Sequence, residues 1–136
     1  MGRRLICALA AVAILAAAAA LAGCGSSKPG YCSKLSTLQQ SVKDLPSTNV
    51  VKNGTNALKA NVDKIVNNAH AVVNAAKSDF PNETKAITSA IDSLQSTVKQ
   101  LETGPSPTLV AQAAGNVAAL TTSVKNFASS ASSKCG

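Results

Sequence analysis

Four runs of apolar residues spaced by threes and fours, each cut from the next by proline or glycine, leave this chain few ways to fold. Tyr31, Leu35, Leu38, Val42 and Leu45 form the first run, and Leu58, Val62, Ile65, Ala69, Val72 and Ala76 the second. Ile87, Ile91, Leu94, Val98 and Leu101 form the third, and Val110, Ala113, Val117, Leu120, Val124, Phe127 and Ala131 the fourth. Steps of three and four keep side chains on one stripe of a helix with about 3.6 residues per turn. Val66 and Val73 widen the second stripe, as on a helix that meets more than one neighbour. No stretch alternates long enough to argue for a strand, so the chain reads as all-α.

The breaks carry their own chemistry. Pro46-Ser47-Thr48-Asn49 ends the first helix, because a proline disfavours helical conformation in the residue before it. In Ser78–Asn82, Asp79 is the expected cap, Pro81 sits in the first turn of the third helix and Glu83 suits its positive end. Thr103-Gly104-Pro105 stops that helix. Ser106 caps the fourth, Pro107 opens it, and Lys134 complements its negative end. The second helix has two readings: a start near Thr48 with a weak point at the Asn53-Gly54 turn signal, which we prefer, or a start near Thr55.

Four amphipathic helices with short connections predict an antiparallel, up-down-up-down four-helix bundle over 31–136. An even number of such helices brings the chain back to its starting pole. Cys32 opens the first helix and Cys135 follows the fourth, so both belong at that pole. The long second helix would overhang the short first one by roughly 20 Å. Either Gly54 breaks it, or one end of the bundle has only three helices. Strict heptads also suit an oligomeric coiled coil, against which the proline and glycine breaks argue.

Ahead of the bundle, Arg3 and Arg4 precede an unbroken apolar run from Leu5 to Ala22, closed by small residues. This is the layout of a secretory signal; a retained membrane anchor is the alternative, at the short limit of spanning length. Leu21-Ala22-Gly23-Cys24 resembles the lipobox of bacterial lipoproteins at all four positions. The resemblance implies that the Cys24 thiol takes a diacylglyceryl group and that cleavage follows Gly23. Two acyl chains give stable attachment where one is marginal. The expected divisions are therefore a cleaved signal over 1–23, lipidated Cys24 with a flexible tether over 24–30, and the bundle. With its Ala-rich composition the chain resembles the small helical lipoproteins of actinobacteria. Cys7 falls in the discarded leader.

Export bears on the remaining thiols. In an oxidising compartment Cys32 and Cys135 are expected to pair with each other, rather than stay free or pair between molecules. The chain has no tryptophan, one tyrosine and two phenylalanines. Aromatics bury the most area per residue, so such a core is thin and gains from a staple.

The sequence carries no catalytic or metal-binding pattern. His70 lies beside the second stripe with Val66, Asn67, Val73 and Asn74 at the positions that would pair with it, so it reads as a surface or rim residue. The acids Asp44, Asp63, Asp79, Glu83, Asp92 and Glu102 are scattered, and no nucleophile elbow or phosphate loop is present. Asn53-Gly54-Thr55 and Asn82-Glu83-Thr84 match the glycosylation sequon by chance. The net charge of +7 comes from Arg3, Arg4 and lysines that mostly fall off the apolar stripes. They form a solvating face, or one attracted to anionic lipid headgroups or wall polymers. Nucleic acid is not expected, since no aromatics interleave the lysines.

The expectation is a non-enzymatic, cofactor-free protein held on the outer face of the cell membrane, with a structural or interaction role toward a neighbouring envelope protein. The second reading is a bundle whose thin Val/Ala seams hold an apolar or lipid ligand.

Overall fold

The computed structural model describes residues 27–45 and 50–136. The expected leader, the lipobox with Cys24, and Pro46–Asn49 lie outside the described residues. Among the described residues there are four helices and no strand: α1 (Gly30–Asp44), α2 (Val50–Ala76), α3 (Pro81–Thr103) and α4 (Pro107–Cys135). They pack in a ring, α1 on α2, α2 on α3, α3 on α4 and α4 back on α1.

The stripes are the core. Every position of the first three runs is buried, Leu38, Ala69, Val72, Ile87, Ile91 and Leu94 completely. Each large aliphatic side chain moved out of water contributes about 1.5–3 kcal/mol. The fourth run differs at its start. Val110 is 48 % exposed, and Leu109 turns inward against the core instead. Counting back four from Ala113 gives 109, so the true stripe steps by four there. Among the described residues the core is drawn from residues 31–131, and the four helices bury their apolar faces in one another. This segment therefore carries what it needs to fold alone.

The two readings of α2 are both partly right. Helical backbone begins at Val50, but Gly54 breaks it with φ 75° and ψ 174°. That region is open essentially only to glycine. The length mismatch is also real: α1 has 15 residues against 23 in α3 and 29 in α4. Beyond Leu45, α2, α3 and α4 continue without an α1 neighbour among the described residues.

Helix ends follow the sequence in part; Leu45 keeps helical φ −62° and ψ −43° although Pro46 follows it in the chain. Ser106 caps α4, its hydroxyl accepting from the Leu109 amide at 3.2 Å, and Pro107 and Pro81 open their helices. Gly104 ends α3, but at φ −163°, which any residue adopts. Asp79 is not the cap of α3: Phe80 holds that position and no side chain caps the helix. Asp79 lies in the turn closing α2, where its amide donates to the Ala76 carbonyl. The expected tether is shorter by one residue, since Gly30 is already helical.

Buried polar groups tie neighbours together. Asn68 on α2 donates to the Ser41 hydroxyl on α1 at 2.8 Å. Asn116 on α4 donates to the Thr97 hydroxyl at 2.8 Å and the Ser93 carbonyl at 3.2 Å, both on α3. No buried side-chain polar atom among the described residues lacks a partner, as a stable interior requires.

Candidate functional site

One end of the ring concentrates the chemistry. The Cys32–Cys135 disulfide joins the start of α1 to the end of α4 across 103 residues, with Cα atoms 5.5 Å apart. The same end holds all three aromatic residues of the chain, Tyr31 being the neighbour of Cys32 in sequence. Tyr31 and Phe80 meet edge to face at 5.8 Å, Phe80 and Phe127 at 5.3 Å, and Tyr31 and Phe127 at 6.1 Å. Each such contact adds about 0.5–1.5 kcal/mol beyond simple burial. The sequence holds the signal for this cluster. Tyr31 starts one helix, Phe80 precedes another and Phe127 lies two turns from the end of a third, so the count that joins the cysteines also joins the rings.

A polar triad covers the cluster. The Tyr31 hydroxyl donates to Asp79 Oδ2 at 3.2 Å, and Lys134 Nζ reaches the same oxygen at 3.2 Å. Lys134 also stands 5.5 Å above the Phe80 ring. Burial raises the Tyr31 hydroxyl above the ordinary tyrosine value, and the bond to Asp79 raises it further, against the opposing charge of Lys134. The carboxylate expected to cap α3 instead links α1, the α2–α3 turn and α4. Glu83 is in the first turn of α3 as expected, but its carboxylate also accepts from Ser130 on α4 at 2.8 Å.

The other sequence candidates lie away from this end; Asp63 and Glu102 share a groove between α2 and α3 with Lys59 and Lys99. His70 is exposed on α2. Asp63 pairs with Lys59 one turn away at 2.8 Å, while Asp92 borders a polar groove between α3 and α4 with Ser93, Gln100, Gln112 and Asn116. Among the described residues, no three of His, Cys, Asp and Glu come together as metal ligands would, and no helix is long and apolar enough to cross a membrane. The interior positions are filled by Leu38, Ile65, Leu94, Leu120 and Phe127. What the disulfide end offers chemically is a cross-linked surface that carries exposed lysines. The lysines around it are exposed, and the chain arrives there through Ser27-Lys28-Pro29.

Comparison with known protein families, curated proteins and solved structures finds no match to this chain.

Proposed function

We propose that this is a non-enzymatic cell-envelope lipoprotein: a disulfide-closed helical domain, tethered by a diacylglyceryl group on Cys24 to the outer face of the cell membrane, with a structural or interaction role. The leader 1–23 is removed and 24–29 is the tether. The observation that carries this reading is the junction of Leu21-Ala22-Gly23-Cys24 with a folded ring only six residues later. Extended, those residues span ~20 Å at most, so the disulfide end stays near the bilayer.

The helices run up-down-up-down in this reading. Contacts that support it move backward along one helix as they move forward along its neighbour: Tyr31 meets Asp79 and Ser41 meets Asn68, while Glu83 meets Ser130 and Ser93 meets Asn116. The sums of the paired numbers stay nearly constant within each helix pair, as antiparallel packing requires. The filled interior supports an interaction role over carriage of an apolar ligand.

The test is processing and retention in a bacterial host. The natural chain should lose residues 1–23, carry two or more acyl chains on Cys24 by mass spectrometry, and resist extraction with salt. The Cys24→Ser chain should keep its leader. The reading is falsified if that variant is cut after Gly23 and still stays on the membrane after a salt wash. Cross-linking from an exposed position of α3 or α4 in intact cells then identifies the neighbour.

A further inference from the structure

Charge is not spread evenly along the ring. Lys28, Lys34, Lys77, Lys85 and Lys134 lie at the disulfide end or within about one turn of it, ~6 Å, and all five are exposed. Only Asp79 and Glu83 accompany them there. Asp79 is occupied by Lys134 and Tyr31, and Glu83 by Ser130. The remaining acids, Asp44, Asp63, Asp92 and Glu102, all lie farther along the helices, interspersed with Lys43, Lys52, Lys59, Lys64, Lys99 and Lys125. The end at which the tether arrives is thus positive, and the rest of the ring is mixed.

The geometry points to this end as a docking surface for anionic lipid headgroups, an inference that rests on the anchored reading above. Lysine side chains near a negatively charged leaflet gain from its potential, and the gain fades within a Debye length of about 10 Å. Lys28, Lys34 and Lys77 fall inside that distance when the disulfide end faces the bilayer. Lys43, Lys64 and Lys99 stand farther off, 12 or more residues along their helices from this end, roughly 18 Å or more at 1.5 Å per residue. The disulfide, the aromatic cluster and the Asp79–Lys134 pair hold the helix ends at this surface together. The acyl chains hold the domain on the membrane; the lysines orient it.

The test removes the anchor so that only the surface is read. Residues 27–136 are mixed with vesicles of phosphatidylcholine alone, or of equal parts phosphatidylcholine and phosphatidylglycerol, and sedimented. Binding is expected to the second only, weakening as salt rises. Lys28→Gln, Lys34→Gln and Lys77→Gln together should lower partitioning by roughly a hundredfold, about fivefold for each charge. Lys43→Gln, Lys64→Gln and Lys99→Gln remove the same net charge and should change it by less than about threefold. All six side chains are exposed, and helical circular dichroism checks that both variants stay folded. Equal losses in the two variants would reduce the effect to net charge and overturn the inference. Absence of binding, or binding to soluble polyphosphate without binding to vesicles, would also overturn it. Because residue 24 is missing from this experiment, its outcome is independent of the Cys24→Ser result.

Discussion

Tyr31 is 3 % exposed, yet its hydroxyl reaches the edge of the core to meet Asp79. As the chain's single tyrosine, in a protein without tryptophan, it can be followed alone. The folded value lies above the unfolded one of about 10, mainly because burial disfavours the phenolate. The stability this contributes is full below about pH 10 and is lost as pH rises through the folded value. An absorbance titration of the native protein should therefore show ionisation above the free tyrosine range, and Asp79→Asn should lower the midpoint. A midpoint at the ordinary value would mean that the hydroxyl is solvated and that the triad is not formed.

At the level of the helices, Ser106 and Asp79 make the sharpest contrast. Both precede a proline-led helix, and both suit a cap by residue type. Ser106 caps; Asp79 sits one residue too early and has been drawn to Tyr31 and Lys134. Ser106→Ala should cost about 1 kcal/mol in urea unfolding, whereas Val110→Thr, at an exposed site, should stay within about 0.5 kcal/mol. The helical stripes were legible in the residues because burial on a helix imposes its period on the sequence. Three stripes read correctly throughout, and the fourth slipped by one residue where Leu109 and Val110 stand adjacent and spacing alone favours neither. Gly54 announced a break but not whether helix preceded it, since a dipeptide signal is local and the helix turn before it is not. At the disulfide end the bond was readable from compartment and count. The tyrosine–aspartate–lysine triad was not, because it depends on which side chains three separate segments bring within reach.

For the whole molecule, the disulfide closes a loop of 103 residues around a core with three aromatics. Chain entropy puts its contribution at about 4–5 kcal/mol, a large share of the stability of a small domain. Replacing Cys32 and Cys135 together by serine should lower the unfolding free energy by that order, read from the denaturant midpoint at an unchanged slope. A loss under about 1 kcal/mol would show that the helices alone confine the unfolded chain. The bond also changes how the domain carries load. With Cys32 joined to Cys135, the polypeptide is a closed ring with a short tail at the tether side. A pull between that tail and the Gly104–Ser106 turn divides over two parallel covalent arms, one through α1, α2 and α3 and one through α4. Extension between those two points is limited by the shorter arm, residues 105–135, so such a pull draws the α4 arm taut first.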